Sequence, residues 1–180
     1  MSGTMDSSAS ARRAEVTRGT LHFFCGKVGA GKTTAARRLA EEIDGILICE
    51  DQWLVLLYDE VQTFAQYLAY RRRIRAVLQA TVPAVLAGGL PVVMDFGGNT
   101  RNDRGWAVGL THSVGAPHVL HYLEVDDATC KQRLALRNET RPEGVYWGHV
   151  TEAMFEQVRV YFQAPTGDEG LTVRLHDSSI

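Results

Sequence analysis

The sequence predicts a single α/β domain in which a parallel sheet of five strands is flanked by helices. From Thr20 onward, short apolar runs alternate with longer segments of helical periodicity, which is typical of strands joined by crossover helices. A glycine-rich segment, 26–33, joins the first apolar run to the first helical segment. A chain of 180 residues with 45% hydrophobic and 22% charged residues fits one compact domain. We assign residues 19–180 to this domain and expect residues 1–18, which are rich in Ser, Ala and Arg, to form a disordered tail.

The expected strands are the short apolar runs. They are Leu21–Cys25, Ile46–Cys49, Pro91–Met94, Val119–Val125 and Leu171–Leu175. The expected helices are Lys32–Glu42, a long stretch from about Trp53 to Ala87, Ala128–Arg137 and Thr151–Gln163. The long stretch can break near Asp59 and at Pro83, and the two consecutive glycines after Ala87 end it. Segment 138–148 is polar and contains Pro and Gly, which predicts a mobile loop.

Composition excludes several classes of protein. The net charge of −2 argues against a nucleic-acid-binding protein, which usually has a clear basic excess. The three cysteines have no metal-ligand spacing, and Cys25 and Cys49 each end an apolar run, so we expect both to be buried in a reducing compartment. No apolar run approaches the roughly eighteen residues of a membrane span, and the N-terminus lacks the apolar core of a signal peptide. We therefore expect a cytoplasmic protein that binds neither nucleic acid nor membrane.

The glycine-rich segment has the pattern Gly-x-x-x-x-Gly-Lys-Thr between a strand and a helix, which is the context that a phosphate-binding P-loop requires. Its glycines let the backbone N–H groups surround an anion, and the following helix adds its positive N-terminal end. Lys32 is expected to reach the terminal phosphates, and the Thr33 hydroxyl to bind Mg²⁺. The predicted nucleotide contacts are Gly26, Lys27, Val28, Gly29, Ala30, Gly31, Lys32, Thr33 and Thr34. The pattern predicts a nucleoside triphosphate with Mg²⁺ as cofactor.

The third strand ends in an acid, Asp95, as does the strand that carries the magnesium-side acid of P-loop proteins. A capping Asp at a strand end is the alternative. ATPases that use water commonly have Glu directly after this Asp, whereas this chain has Phe96. No Asn-Lys-x-Asp sequence of guanine-specific GTPases occurs. These features favour transfer of a phosphoryl group to an acceptor other than water.

A second acidic segment, Glu50-Asp51-Gln52-Trp53, follows the second strand. Ligands of open α/β sheets lie beyond the carboxyl ends of the strands, so one acid here would face the terminal phosphate. We prefer Asp51 as the base that takes the acceptor proton, because side chains alternate at the end of a strand. A paired or capping surface acid is the alternative.

Arginines supply most of the positive charge. Arg133 and Arg137 are four residues apart on one predicted helix, which suits either stabilisation of a transferring phosphoryl group or a solvated helix face. Spacing alone does not separate these two interpretations. Arg71-Arg72-Arg73 and Arg75 could recognise an acidic acceptor, but a solvated face is the favoured interpretation.

Several motifs together resemble one family. They are Cys-Gly-Lys-x-Gly-x-Gly-Lys-Thr-Thr at 25–34, Glu-Asp-x-Trp at 50–53, Asp-Phe-x-x-Asn-Thr at 95–100 with Arg104, Cys-x-x-Arg-Leu-x-x-Arg-Asn at 130–138, and Phe-x-Ala-Pro at 162–165 with Glu169-Gly170. The set resembles the small bacterial P-loop kinases grouped with zeta toxins and chloramphenicol phosphotransferase, which are AAA-type ATP-binding proteins. The resemblance covers roughly residues 20–176.

The resemblance implies a nucleoside-kinase-like P-loop fold with strand order 2-3-1-4-5, a lid that carries arginines, and ATP or GTP as donor. Asp51 matches the general base, Lys32 and Thr33 match the phosphate and magnesium contacts, and Arg133 and Arg137 match the lid arginines. Pro165 falls where such kinases hold the nucleobase. The residues assigned to substrate binding are Asp51, Trp53, Asn99 and Arg104. Asn99, Thr100 and Arg104 are expected at the cleft between the phosphates and the acceptor.

Members of this family phosphorylate hydroxyl groups of small molecules, such as chloramphenicol, capuramycin-type nucleoside antibiotics or nucleotide sugars. The expected activity is therefore O-phosphorylation of an antibiotic, with a metabolic sugar or nucleoside kinase, including the UDP-sugar type of zeta toxins, as the alternative. A polynucleotide 5′-kinase and a non-catalytic nucleotide switch are further alternatives. The acceptor, the choice between ATP and GTP, and the oligomeric state stay open.

Overall fold

The computed structural model describes residues 17–58, 63–146 and 148–177. Its centre is a sheet of five strands in the order β2-β3-β1-β4-β5, and every neighbouring pair is parallel. The strands are β1 Leu21–Cys25, β2 Ile46–Cys49, β3 Val92–Gly97, β4 His118–Leu123 and β5 Val173–His176. The helices are α1 Lys32–Glu42, α2 Glu50–Leu57, α3 Phe64–Ala87, α4 Arg101–His112, α5 Asp127–Thr140 and α6 Glu152–Arg159. The predicted fold class and strand order are confirmed.

Residues alternate along β1 between two apolar cores, one on each face of the sheet. Leu21, Phe23 and Cys25 belong to the core that includes the inward residues of α3 and α4, and Phe24 belongs to the core that includes α1 and α5. The described cysteines are free and buried, as the sequence predicted for Cys25 and Cys49. No helix among the described residues is long and apolar enough to cross a membrane.

Two helices differ from the prediction. Helix α2 begins directly after β2, so Glu50 and Asp51 lie in its first turn and not at the end of a strand. Acidic side chains are favourable there, because they face the positive end of the helix dipole. Pro83 does not break α3. The helix buries four residues at a spacing of four, Ile74, Leu78, Val82 and Leu86, and this packing against the sheet outweighs the hydrogen bond that a proline removes.

Other boundaries also shift. The third strand continues beyond Asp95 to Gly97, with an irregularity in its pairing with β1 between Phe23 and Phe24. The break expected near Asp59 falls between the end of α2 and the start of α3, and residues 59–62 lie outside the described part of the chain. The fourth helix was not predicted at all. Its signal was local, since the Thr100 side chain caps it by accepting a hydrogen bond from the N–H of Asp103.

Three imidazoles form a hydrogen-bonded chain across β1, β4 and β5. His22 Nδ1 lies 3.1 Å from His121 Nε2, and His121 Nδ1 lies 2.9 Å from His176 Nε2. A neutral ring offers one N–H, which is enough for both contacts to be satisfied. Burial and the neighbouring His22, His176 and Arg174 lower the pKa of His121 to about 3, and burial also lowers the pKa of His22 and His176.

The three hydrogen-bonded histidines predict that the protein loses stability in acid. Since the unfolded His121 binds a proton near pH 6.5 and the folded one does not, stability is full above that pH and falls as the pH is lowered. His121 alone should cost about 2 kcal/mol of unfolding free energy between pH 7 and pH 5. Urea unfolding at both pH values checks this, with His121→Phe, which keeps a ring against Phe24, expected to show a shallower pH dependence. Exposed His112→Asn is the control, and an equal pH dependence in wild type and His121→Phe would contradict the assignment.

Candidate active site

The P-loop joins β1 to α1 and is enclosed by α5. Gly29 has φ +82°, and a Cβ there would lie 2.5 Å from the carbonyl oxygen of Cys130 on α5. Gly31 is the N-cap of α1 with φ +102°. Both positions need glycine, since an L-residue rarely adopts these angles and the first has no room for a side chain. The backbone N–H groups and the N-terminus of α1 thus border one concave surface.

Two lysines of the loop have different partners. The Lys32 ammonium donates to the carbonyl oxygens of Gly26 and Lys27 at 2.5 and 2.9 Å, so its charge is held across the concave side of the loop. Burial lowers the pKa of Lys32, while the charges of Asp95 and Asp51 raise it. Lys27 instead forms an ion pair with Asp127 at the start of α5. Lys32 is therefore the lysine that faces Asp51 and Asp95. Thr33 is half-buried beside it, and Thr34 is exposed.

Asp51 and Asp95 meet Lys32 and Arg137 at the carboxyl end of the sheet. Asp51 reaches solvent, yet the concave protein wall desolvates its carboxylate, and this effect together with the charge of Asp95 raises its pKa. Lys32 and Arg137 act in the opposite direction. Asp95 is held by the Cys49 thiol, whose Sγ donates to its Oδ2 at 3.3 Å. Two carboxylates and two cations thus lie near one another at the carboxyl end of the sheet.

Glu50 points away from this group, although it is next to Asp51. Its side chain is buried and accepts a hydrogen bond from Arg71 Nε at 2.7 Å. Arg71 and Arg75 both contact the carboxylate of Asp103, at 3.1 and 2.6 Å. The solvated-face interpretation is thus wrong for Arg71 and Arg75, whose side chains are only 18% and 20% exposed, whereas Arg72 and Arg73 are exposed as expected.

The two arginines of α5 have separate positions. Arg133 donates from Nη1 to the carbonyl oxygen of Ala30 at 2.9 Å, which ties α5 to the P-loop. Arg137 lies one turn further and is half-buried. Its Nε is buried and has no hydrogen-bond partner among the described residues, while its charge acts on Asp51. An unpartnered donor beside a carboxylate can donate a hydrogen bond to an anionic oxygen of a ligand.

The segment predicted to form the lid follows α5. The helix extends to Thr140, so the predicted loop start at 138 is corrected to 141. Asn138 closes the base of this loop, because its amide donates to the Val150 carbonyl at 2.8 Å and its oxygen accepts from the Val150 N–H at 3.2 Å. The described residues 141–146 and 148–149 follow, and Gly144 lies against the Arg37 guanidinium of α1. Trp147 lies outside the described residues.

Three residues assigned to substrate binding make contacts within the protein. Arg104 is only 1% exposed and donates to protein groups, so its assignment as a substrate contact is corrected. Asn99 contacts the P-loop, with its Oδ1 accepting from the Gly26 N–H at 3.1 Å. Trp53 is half-buried and packs against the core on the α3 side of the sheet. Spacing in the sequence could not reveal these contacts, since each joins distant segments.

A nucleoside-sized cavity of about 560 Å³ opens beside the P-loop at the end of β4. Its lining residues are Lys27, Tyr122, Leu123, Glu124, Val125, Asp126 and Phe162. Pro165, predicted at the nucleobase, is not among them, but Phe162 belongs to the same segment and stacks on Tyr122 with a centroid distance of 6.4 Å. The aromatic wall and the adjoining P-loop suit a base and its phosphates.

The donor set suits Mg²⁺. Asp95 and the Thr33 hydroxyl are oxygen donors, which Mg²⁺ prefers, and Mg²⁺ usually takes few protein ligands together with phosphate oxygens and water. The mutual repulsion of Asp51 and Asp95, which raises the pKa of Asp51, is the repulsion that a cation between them would relieve. The described residues contain no cluster of three or more His, Cys, Asp or Glu side chains that could hold a metal alone.

The sheet order, the P-loop and the acids at the strand ends define a P-loop kinase-like domain. Residues 21–165 match the family of the AAA domain, and the chain belongs to that family. No curated protein matches the sequence.

Solved structures share the fold at low sequence identity. A candidate kinase from Chloroflexus aurantiacus superposes with a TM-score of 0.71 at 16% identity, over 90% of this chain and 89% of that chain. The APS kinase CysC of Mycobacterium tuberculosis, in complex with AMPPNP and APS, gives 0.60 at 15% identity, over 91% of both chains. A gluconokinase from Sinorhizobium meliloti gives 0.58 at 15% identity, over 91% of this chain and 84% of that one.

Proposed function

We propose that this protein transfers the γ-phosphate of Mg-ATP or Mg-GTP to a hydroxyl group of a small molecule. The observation that carries the proposal is the meeting of Asp51, Lys32 and Arg137 at the carboxyl end of the sheet, beside the P-loop. Phe96 supports an acceptor other than water, because it is 4% exposed in the core where a hydrolytic P-loop enzyme commonly has Glu.

In the proposed mechanism, the P-loop N–H groups and Lys32 hold the triphosphate with its γ-phosphate toward Asp51. Asp51 takes the proton of the acceptor hydroxyl, whose oxygen forms a bond to the γ-phosphorus while the bond to the β-phosphate oxygen breaks. Lys32 and Arg137 neutralise the charge that accumulates on the transferring group and on the diphosphate. Thr33 and Asp95 would hold Mg²⁺, which would supply further neutralisation of the triphosphate charge. Arg133 positions the P-loop through Ala30.

For the acceptor we propose an antibiotic, on the strength of the motif resemblance to the zeta toxin and chloramphenicol phosphotransferase group. Asp51 lies on α2, which contacts α3, and the Tyr58 and Tyr70 rings of these two segments stack at 3.7 Å. Arg71 and Arg75 on α3 are already paired with Glu50 and Asp103. Aromatic surface with balanced charge suits a neutral hydroxylated molecule better than a strongly acidic one.

A mass-shift assay tests this function. Purified protein with Mg-ATP or Mg-GTP is incubated with chloramphenicol, capuramycin-type nucleosides, simple sugars, nucleosides, UDP-sugars and a single-stranded oligonucleotide with a free 5′-hydroxyl. We expect one phosphoryl group on an antibiotic and none on the oligonucleotide. Phosphorylation of the oligonucleotide alone would refute the small-molecule proposal. Tight nucleotide binding with no acceptor modified across the panel would favour a nucleotide switch.

The second candidate is a metabolic kinase for a sugar or nucleoside. The fold-level similarity to the Sinorhizobium meliloti gluconokinase supports it, since that protein has the same architecture over most of its length. A phosphorylated sugar or nucleoside, with no phosphorylated antibiotic in the same panel, would select this candidate.

A further inference from the structure

A buried ion pair joins α4 to the segment before β5. Arg104 donates to both carboxylate oxygens of Glu169, from Nη2 at 2.6 Å and from Nε at 2.7 Å. The two side chains are only 1% and 4% exposed. Hydrogen bonding to Arg104 lowers the pKa of Glu169 to about 2, so the pair is charged. We name these two residues the clasp. The chemistry proposed above assigns them no role.

The clasp continues toward the P-loop through backbone groups. Arg104 Nη1 donates to the carbonyl oxygens of Gln163 and Gly98, at 2.7 and 3.2 Å. The Gln163 N–H donates to the Asn99 carbonyl at 2.8 Å. Asn99, which lies between these contacts, accepts from the Gly26 N–H through its side chain. The guanidinium is thus connected to the Asn99 amide, and through it to the first glycine of the P-loop, by a continuous set of hydrogen bonds.

The same network reaches the nucleoside-sized cavity. Phe162, directly before Gln163, forms one wall of the cavity, and the carbonyl of Gln163 is held by Arg104. Glu169 also accepts from the N–H of Thr166, which fixes the turn that follows Pro165. The clasp thus holds both the entrance of the P-loop and the wall of the adjoining cavity.

A buried ion pair is a weak source of stability, because the cost of removing two charges from water offsets much of their attraction. An apolar pair of similar volume often stabilises a protein equally well. A bidentate guanidinium with two further carbonyl partners is, however, well suited to fix the relative position of three segments.

We propose that Arg104 and Glu169 are positioning residues for the nucleotide, which act through Asn99 on the P-loop and through Phe162 on the cavity wall. This inference rests on the proposed function only in requiring that the site binds a nucleoside triphosphate. It does not depend on the acceptor or on transfer.

The test measures the Kd of Mg-AMPPNP by calorimetry on folded full-length protein. In the variant Arg104→Met/Glu169→Leu, the ion pair is replaced by apolar side chains, and we expect the Kd to rise about tenfold or more. Glu169→Gln keeps the shape of the pair and removes its negative charge, and this variant should also have a raised Kd. The matched control is Arg101→Met, which removes the exposed ion pair to Asp168 between the same two segments and should change the Kd by less than about twofold.

Thermal unfolding of each variant separates positioning from stability. A folded Met/Leu variant with wild-type melting temperature and raised Kd supports the proposal. A reduced number of binding sites with unchanged Kd overturns it, because only the folded fraction would then have changed.

Inorganic Mg-tripolyphosphate gives a further readout. Since it does not contact the cavity wall, its affinity should fall less than that of Mg-AMPPNP, and an equal fall would overturn the role of Phe162. Wild-type protein that binds no nucleotide would refute the proposed function itself.

Discussion

Replacement of Asp51 by Asn is expected to lower kcat by about a thousandfold, because general-base catalysis typically contributes factors of this size. Asn has nearly the same shape but cannot take the proton of the acceptor hydroxyl. The charge that Lys32 and Arg137 present to the triphosphate remains, and the repulsion between Asp51 and Asp95 disappears. Nucleotide affinity should therefore be retained or slightly increased. Steady-state transfer rates and calorimetric Kd values for Mg-AMPPNP check the two parts of this prediction.

Glu50 provides the matched control. It is the neighbouring carboxylate, but it is buried and paired with Arg71, so Glu50→Gln should lower thermal stability and leave the chemical step largely intact. If Asp51→Asn retains near-normal kcat, Asp51 is not the base. If Glu50→Gln instead abolishes transfer in folded protein, the roles of the two adjacent acids are reversed.

The parts of the fold that the sequence predicted are those set by local patterns. The P-loop is specified by glycines and a lysine within one short segment, and α1 and β2 have the predicted bounds. The fourth helix was missed because its sequence contains Gly105 and Gly109 and has polar residues at its start. What fixes that helix is the Thr100 cap together with the burial of Arg104, and a buried arginine looks like a surface residue in a hydrophobicity pattern.

As with the fold, the parts of the site that lie within short motifs were predictable, and the contacts between distant segments were not. The motifs indicated the residues that we propose to carry the chemistry, and the structure brings Asp51, Asp95, Lys32 and Arg137 together. The position of Arg104 was not predictable, since its carboxylate partner is 65 residues further along the chain. The same holds for Arg71, whose partner Glu50 is 21 residues away. Pairings of this kind are set by the packing of helices on the sheet, and spacing in one sequence contains no information about them.

The other large effect is expected for Lys32. Its ammonium bridges the Gly26 and Lys27 carbonyls and is therefore fixed before a ligand arrives, which is the arrangement that makes a cation effective toward a developing negative charge. Lys32→Met keeps the length of the side chain and removes this charge, and transfer should fall by about a hundredfold or more. Nucleotide affinity should fall as well, because Asp51 and Asp95 would then face the phosphates with less positive charge.

Lys27→Met is the comparison that separates local charge from net charge. It removes an equal charge from the same loop, but Lys27 is paired with Asp127, away from the two active-site acids. We expect a smaller loss of Mg-AMPPNP affinity and little change in the rate of the chemical step in single-turnover measurements. Equal losses in both variants would mean that the loop attracts the triphosphate only by its overall charge. Because Asp51 faces Lys32 and not Lys27, a loss confined to Lys32→Met would instead assign to Lys32 the cationic role in phosphoryl transfer.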